Sequence, residues 1–146
     1  MSDCLDHLKQ QAITFLEQRA RKPETPFFLY FPLTAPHKPV QPHPRFIGKS
    51  KLGLYGDFVM QVDWTVGQVM RAIREAGIEK NTLLIFTSDN GPNLSAVKNE
   101  DLVQESGGLR GKKAKIWEGG HRVPVSYTHL RAHETDSYLV CRLLLE

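Results

Sequence analysis

Cysteine is scarce in this sequence, and long apolar runs are absent. The 146 residues include two cysteines, which are too few for a disulfide framework and lack the paired spacing of a zinc site. Residues 1–6 contain no basic run followed by an apolar stretch, so no signal peptide is visible, and no segment reaches the length of a membrane span. Internal repeats and low-complexity segments are also missing. These absences exclude a disulfide scaffold and a repeat array, and we expect no membrane partner.

Charge of neither sign dominates the chain. Nineteen Lys and Arg face sixteen Asp and Glu, for a formal net charge of +3, and 40% of the residues are apolar. This is the balance of an ordinary globular domain. Basic residues cluster only over residues 110–115, where no aromatic side chains are interleaved. We therefore expect no nucleic-acid partner.

Two segments have the apolar periodicity of amphipathic helices. Apolar residues recur at steps of three and four over residues 2–21 and again over residues 55–76. Gly77 follows the second segment in the position of a left-handed helix cap. The sequence predicts two helices over these ranges.

Two short apolar runs have the composition of buried strands. Residues 27–31 (FFLYF) follow the first predicted helix, and residues 82–88 (TLLIFTS) follow the second. The order strand, loop, helix, strand predicts a βαβ unit, whose strands are parallel and joined by a right-handed crossover. Parallel strands end at one edge of the sheet, where open α/β folds bind ligands. We expect His37 and Asp89 to face that edge.

Asp89 and Asn90 lie in the segment SDNGP, directly after the second predicted strand. Each residue type in this segment favours turns, so a purely structural turn is one interpretation. The other is a cation site, because carboxylate and amide oxygens are ligands that calcium prefers. A turn at the end of a strand allows neighbouring side chains to converge, which a regular strand prevents.

His37 lies in a proline-rich loop with the sequence TAPHKP. The flanking prolines hold this loop extended and restrict its motion. A loop histidine is usually only solvated. Beside an anionic site, however, it can donate a hydrogen bond or a proton to an ester oxygen.

The basic segment RGKKAK spans residues 110–115. It can be a solvated face, a weak nucleic-acid contact, or the source of one lysine that neutralises a tetrahedral anion. Gly107, Gly108 and Gly111 would allow the backbone to approach such an anion closely. The segment WEGGHRVP follows, and its paired glycines predict a tight backbone passage. Glu118 and Arg122 are predicted to form a structural ion pair.

The last 22 residues, VSYTHLRAHETDSYLVCRLLLE, resemble one reading frame of a transposase-type sequencing adapter. Two constant blocks, VSYTHLRAHET and LVCRLLLE, occur in the adapter's order and are separated by an index-sized gap. A natural amphipathic helix is the alternative. We expect residues 1–124 to form a partial domain and residues 125–146 to be a non-native tail without function.

Four blocks, PFFLYFPLTAPHKPVQP, YGDFVMQVDWTVGQVM, NTLLIFTSDNGP and LRGKKAKIWEGGHRVP, occur in an order and spacing that identify a family. They resemble the formylglycine-dependent sulfatases, in the arylsulfatase-like branch of the alkaline-phosphatase-like superfamily. The resemblance implies an α/β/α sandwich with a mostly parallel sheet. It also implies a parent protein that hydrolyses sulfate esters with calcium and a formylglycine nucleophile.

The resemblance also assigns roles to individual residues. His37 matches a histidine that contacts the sulfate, Asp89 and Asn90 match two calcium ligands, and Lys113 matches a lysine that bridges the sulfate and the catalytic residue. The substrate implied is a sulfated small molecule or glycan. A periplasmic or secreted location is implied for the parent.

The family's nucleophile motif, Cys/Ser-x-Pro-x-Arg, is missing from this sequence. Leu5 follows Cys4 and Arg142 follows Cys141, so neither cysteine fits the motif. We therefore expect a fragment that lacks the N-terminal half of the domain, is inactive alone and has an incomplete calcium site. Two alternatives are a phosphatase or phosphodiesterase of the same superfamily, whose members usually use two zinc ions, and a non-catalytic polyanion-binding module built on residues 110–115.

Overall fold

The chain divides into two compact units. The computed structural model describes residues 4–93, 108–123 and 125–127. The described residues up to Glu79 form the first unit, and those from Lys80 onward form the second. No helix in these described ranges has the length and apolar character needed to cross a bilayer.

Two helices form the first unit, and both confirm their predictions. Helix α1 spans Cys4–Ala20 and helix α2 spans Gly53–Glu75. Their apolar faces supply most of the buried core, because side chains three and four positions apart lie on one side of a helix. The buried apolar residues on these helices are Leu5, Ala12, Leu16, Phe58, Val62, Val69, Ala72 and Ile73.

Helix α2 ends in the left-handed cap predicted from Gly77. The φ angle of Gly77 is +70°. Its N–H donates to the carbonyl of Arg74 over 3.0 Å, and the N–H of Ile78 donates to that of Ile73 over 3.2 Å. This pair of bonds is the Schellman motif, in which glycine adopts the positive φ without a steric penalty. The prediction is confirmed.

A buried carboxylate on α2 holds the loop that precedes the helix. Asp57 is 1% exposed. Its two oxygens accept hydrogen bonds from the backbone N–H groups of Gly48, over 2.8 Å, and Ser50, over 2.7 Å. Two charge-assisted bonds to backbone donors satisfy the buried charge and fix the path of the loop.

One and two turns further along α2, Gln61 and Thr65 continue this polar face, and both are fully buried. Oε1 of Gln61 accepts from the backbone N–H of His43 over 2.8 Å. The Thr65 hydroxyl donates to the carbonyl of Gln61 over 2.8 Å. The spacing of four residues places these side chains one above another. The proline-rich loop therefore rests on polar groups of α2.

A cation–π cluster ties the same loop to both helices. The guanidinium of Arg45, in the 3-10 helix Pro44–Phe46, lies 3.7 Å from the centre of the Trp64 ring, and Nζ of Lys9 lies 4.3 Å from it. Oδ1 of Asp6 accepts from both cations over 3.1 Å. The Arg45 side chain is 41% exposed, and exposed cation–π contacts contribute about 0.5–1 kcal/mol each, so this cluster adds to the core without replacing it.

The predicted strand over residues 27–31 is not formed. Within the described ranges this segment belongs to no helix or strand, although its exposure alternates. Phe28 and Tyr30 are 88% and 76% exposed, whereas the Phe27 ring packs edge-on against Phe15 with centroids 5.7 Å apart. Composition produces the alternation, but a strand also requires a hydrogen-bonded neighbour.

The second unit contains a two-stranded sheet. Strand β1 spans Ile85–Thr87, which is shorter than the predicted 82–88, and pairs antiparallel with strand β2, Val125–Tyr127. The short 3-10 helix Glu79–Asn81 precedes β1. The predicted parallel pairing is therefore not present among the described strands. A parallel pair needs a second strand, and residues 27–31 form none.

Strand β2 begins at the residue where the adapter-like tail is predicted to begin. Its three residues pair with β1 in the register Ile85–Tyr127, Phe86–Ser126 and Thr87–Val125. Residues 128–146 lie outside the described residues. The non-native origin of the tail stays a prediction.

Candidate functional site

The turn that follows β1 carries the predicted calcium ligands. Asp89 is exposed and Asn90 is half-buried. The Ser88 hydroxyl donates to the carbonyl of Asn90 over 2.9 Å, and Nδ2 of Asn90 donates to the carbonyl of Gly91 over 3.3 Å. This bond uses an N–H of the Asn90 amide and does not involve its oxygen Oδ1. The turn thus presents a carboxylate and an amide oxygen from consecutive positions.

The basic segment and the two residues after it form a loop, residues 110–117, that we call the basic loop. The N–H of Gly119 donates to the carbonyl of Arg110 over 2.8 Å, which joins the two ends. The Arg110 guanidinium lies 3.6 Å from the centre of the Trp117 ring. The carbonyl of Arg110 therefore closes the loop, and its charged guanidinium contacts the Trp117 ring.

Within the basic loop, the chain reverses over the lysines. The N–H of Lys115 donates to the carbonyl of Lys112 over 3.0 Å. Gly111 and Ala114 have positive φ angles of 93° and 66°. A left-handed conformation costs an alanine roughly 1–2 kcal/mol, so packing elsewhere must hold the turn in place. Lys113 is half-buried at its tip.

The short helix α3, Glu118–His121, follows the basic loop. Nδ1 of His121 lies 3.0 Å from the carbonyl oxygen of Trp117. Because a carbonyl only accepts, this contact makes Nδ1 the protonated nitrogen. The predicted ion pair is confirmed, with Arg122 and Glu118 joined over 3.2 Å on the exposed surface.

Two backbone hydrogen bonds join the turn after β1 to the basic loop and to helix α3. The N–H of Gly91 donates to the carbonyl of Gly120 over 2.9 Å, and the N–H of Lys113 donates to that of Pro92 over 3.0 Å. Residues that are 29 and 21 positions apart, by their numbers, are thereby held side by side. Lys113 lies against the turn that carries both predicted calcium ligands.

Glycines make this approach sterically feasible. A β-carbon on Gly91 would collide with the carbonyl oxygen of Gly119, and one on Gly119 would collide with that of Gly111. A β-carbon on Gly120 would lie 2.8 Å from the carbonyl oxygen of Lys112. The paired glycines are thus the tight passage predicted from the sequence. Gly91 was not predicted, because a glycine in a turn gives no sign of a distant contact.

The other predicted glycines divide differently. Gly111 has both a positive φ and a close neighbour, since its β-carbon would lie 2.7 Å from Cβ of Trp117. Gly108 has a φ of +86° but open space around it. Its φ angle accounts for a glycine at this position, and its predicted role in a close approach to an anion stays a prediction. Gly107 lies outside the described residues.

His37 is exposed in the loop of the first unit. Nδ1 lies 2.8 Å from the carbonyl oxygen of Lys38, so Nδ1 carries the proton and donates, and Nε2 is turned away from this contact. The peptide bonds before Pro36 and Pro39 are both cis. His37 belongs to the first unit, whereas the other three predicted site residues belong to the second. The common sheet edge predicted for all four stays a prediction.

The chemistry of the turn fits a hard cation. Asp89 and Asn90 offer oxygen donors, and calcium takes six to eight oxygens. In residues 4–93, 108–123 and 125–127, no group of three or more His, Cys, Asp or Glu could hold a metal ion. These two residues can therefore be part of a calcium site, with the remaining ligands coming from elsewhere.

Comparison with known proteins extends over most of the chain. A family model described as Sulfatase matches residues 4–125. An N-acetylgalactosamine-6-O-sulfatase of Bacteroides thetaiotaomicron is 38% identical over 128 residues, covering 84% of this chain and 24% of that protein. Arylsulfatase H of Homo sapiens is 38% identical over 120 residues, covering 79% of this chain and 20% of that protein.

A solved structure from the metabolism of glycosaminoglycans by Bacteroides thetaiotaomicron superposes with a TM-score of 0.78 at 37% identity. It covers 86% of this chain and 27% of that chain. The chain thus spans about a quarter or less of the length of the proteins it matches. Since the family model covers far more than half of the chain, the four sequence blocks and the matched fold have one explanation: this chain belongs to the sulfatase family.

Proposed function

We propose that the full-length parent of this chain hydrolyses sulfate esters and that this chain supplies one wall of the sulfate and calcium site. The observation that carries the proposal is the hydrogen bond from Lys113 N–H to Pro92 O, at 3.0 Å. It holds a lysine against the turn that bears two oxygen ligands. A cation placed beside a divalent-ion site is an arrangement suited to a tetrahedral oxyanion.

Lys113 is the residue to which we assign charge neutralisation. Its backbone is fixed by the Pro92 contact and by the tight turn of the basic loop. With this backbone already in place, only the Lys113 side chain has to be ordered when the substrate arrives, which lowers the cost of reorganisation. Lys112 and Lys115 flank it, but the hydrogen bond between them serves the turn itself.

Asp89 and Asn90 are the residues that would hold calcium, together with ligands from outside this chain. Their hard oxygen donors match that ion. When bound, calcium would supply positive charge beside the sulfate oxygens. The exposed position of Asp89 leaves its carboxylate open to solvent and to a ligand.

His37 is the residue to which we assign protonation of the leaving group. Its Nδ1 is engaged with the carbonyl of Lys38. A proton can then be exchanged at Nε2. As the sulfur–oxygen bond of the ester breaks, the alcohol oxygen takes the bonding pair and accepts a proton from Nε2. The histidine returns to the protonated state from solvent in the next cycle.

We infer a sulfated sugar as the substrate of the parent. The Bacteroides thetaiotaomicron relative is named for N-acetylgalactosamine 6-O-sulfate, which supports a glycan. We also propose a periplasmic or secreted parent, as the family resemblance implies. The nucleophile belongs to the part of the parent that this chain does not include, because neither Cys4 nor Cys141 lies in the required motif.

A chimera tests the proposal. In it, residues 4–124 of this chain replace the matching region of the Bacteroides thetaiotaomicron relative. We expect the chimera to hydrolyse an aryl sulfate and to prefer it to the matching aryl phosphate. Circular dichroism and cooperative melting establish that the chimera is folded. Preference for phosphate by the folded chimera would instead support a phosphatase or phosphodiesterase of the same superfamily.

A further inference from the structure

The segment that carries His37 meets the core of the first unit on both sides of the histidine. Ala35 is 8% exposed and Pro42 is buried, whereas His37 between them is exposed. Prolines occupy positions 36 and 39 of this segment. Because a proline ring fixes φ at about −65°, residues 36–41 have few alternative paths. The direction of the His37 ring therefore depends on where the two ends of the segment are held.

A buried glutamine of α2 holds the second end. Oε1 of Gln61 accepts from the backbone N–H of His43, the residue after Pro42, over 2.8 Å. Gln61 is fully buried, so breaking this bond would leave its oxygen without a partner away from water. Gln61 thus fixes the loop at a point six positions after His37, by their numbers.

The Gln61 amide uses its oxygen for this contact. Among the described residues, Nε2 of Gln61 is buried and has no hydrogen-bond partner. The nitrogen therefore takes no part in holding the loop. A side chain that keeps an oxygen at this place should hold the loop equally well, whereas one that lacks the oxygen should release it.

We propose that Gln61 is a positioning residue for His37 and acts through the loop that joins them. The inference rests on the proposed function, because it takes His37 as the group that protonates the leaving group. Nδ1 of His37 lies 2.8 Å from the carbonyl oxygen of Lys38, a contact that depends on the backbone conformation of these two neighbours. The anchor at His43 maintains that conformation and keeps Nε2 in one direction. A misplacement of about 1 Å at a reacting group can cost roughly 100-fold in rate.

NMR of the imidazole nitrogens in the whole 146-residue chain tests the link without catalysis. The neutral His37 ring should be protonated mainly at Nδ1, and the His43 amide should be protected from exchange. Gln61→Met removes the acceptor at nearly equal side-chain length. It should release the His43 amide and shift the His37 proton toward Nε2, the tautomer that histidine prefers in an unconstrained peptide. An unchanged His37 tautomer overturns the proposal.

Two further variants of α2 separate positioning from packing. Thr65→Val removes a buried hydroxyl that donates within the helix, so it should leave the His37 tautomer unchanged. Gln61→Glu keeps the oxygen and should preserve the tautomer as well. Equal shifts in Thr65→Val and Gln61→Met, or a shift in Gln61→Glu as large as that in Gln61→Met, would overturn the proposal. If Gln61→Met does not fold, Gln61→Asn replaces it under the same criteria, because its amide oxygen is retracted by one methylene.

Kinetics of the chimera measures the catalytic consequence. Gln61→Met should lower kcat for an alkyl sulfate by about 10- to 100-fold, and for an aryl sulfate with an acidic phenol by about threefold or less. In the His37→Gln background the same substitution should have no further effect, since its target is gone. Equal losses on both substrates, or an undiminished loss in that background, overturn the proposal.

Failure of the proposed function has a different signature. His37→Gln alone would then slow the two sulfates equally, and the positioning role in catalysis would be overturned with the acid role. The tautomer shift in the isolated chain would still follow Gln61. When His37→Gln discriminates between the substrates and Gln61→Met does not, the acid role stands and only the positioning role is overturned.

Discussion

The N–H of Lys113 donates to the carbonyl oxygen of Pro92 over 3.0 Å, so the main chain fixes the lysine's place beside the turn after β1. Attraction between side chains is not needed for this arrangement. Its position therefore persists when the lysine side chain is removed. Substitutions at Lys113 can accordingly test charge without moving the loop.

Lys113→Ala in the chimera should lower kcat/KM for an aryl sulfate by roughly 100- to 1,000-fold, the loss typical of one transition-state charge partner. Lys115→Ala is the matched control in the same loop and should change it by about threefold or less. Steady-state kinetics measures both. The polyanion-binding module would be favoured by a different result. In that case both variants would lose heparin binding equally, the loss would depend strongly on salt, and their kinetics would not differ.

His37→Gln should slow hydrolysis most for esters whose leaving group is a poor acid, because these leaving groups depend most on protonation. An alkyl sulfate should lose about 100-fold or more in kcat, while an aryl sulfate with an acidic phenol loses far less. His7→Gln, an exposed change in α1, should leave both rates unaltered. Equal losses on the two substrates would remove the acid role from His37.

Calcium should bind this chain only weakly, with a Kd above about 1 mM, because two side chains supply a minority of the six to eight oxygens required. Isothermal titration calorimetry of the purified chain measures the affinity. In the chimera, Asp89→Ala should weaken calcium binding, whereas Asp63→Ala, an exposed change on α2, should not. Micromolar binding to the isolated chain would show a site more complete than Asp89 and Asn90.

Asp57→Ala should destabilise the first unit by about 2–4 kcal/mol, since it leaves the Gly48 and Ser50 donors without a buried acceptor. Asp63→Ala on the same helix is exposed and should cost about 0.5 kcal/mol or less. Urea unfolding followed by helical circular dichroism compares them. Similar midpoints for the two variants would contradict the anchoring role of Asp57.

Gly91→Ala should disrupt the contacts of the turn with helix α3 and, through them, with the basic loop. The added carbon would collide with the Gly119 carbonyl, and a backbone neighbour cannot rotate away. We expect faster exchange of the Lys113 amide and a loss of about 1–3 kcal/mol. Gly67→Ala, with nothing within 4 Å in mid-helix, should instead stabilise by about 0.5–1 kcal/mol. An unchanged Lys113 amide in Gly91→Ala would contradict the contact.

The helices were predictable because the residues that determine them lie within each helix or directly beside it in the sequence. Apolar spacing located α1 and α2 within two residues at each described end, and Gly77 marked a cap whose geometry needs no distant residue. The strand over residues 27–31 was not predictable in the same way. Its composition is right, but pairing depends on a neighbour that no local pattern supplies.

Within the site, residue types were predictable and contacts were not. The turn after β1 and the basic segment could be located from the sequence blocks, yet the close approach of Gly91 and Gly119 joins residues 28 positions apart, by their numbers. The polar face of Asp57, Gln61 and Thr65 was also missed. Periodicity analysis follows apolar residues, and buried polar side chains on a helix break that pattern.

The close approach of Gly91, Gly119 and Gly120 determines which positions of these segments tolerate substitution. Side chains of the basic loop that make no contact with its neighbours can change in size and charge, because the loop's path depends on main-chain contacts. The glycines admit no such change without rebuilding both segments. We therefore expect the exposed Lys115 and Ile116 to vary freely while the supporting scaffold stays constant.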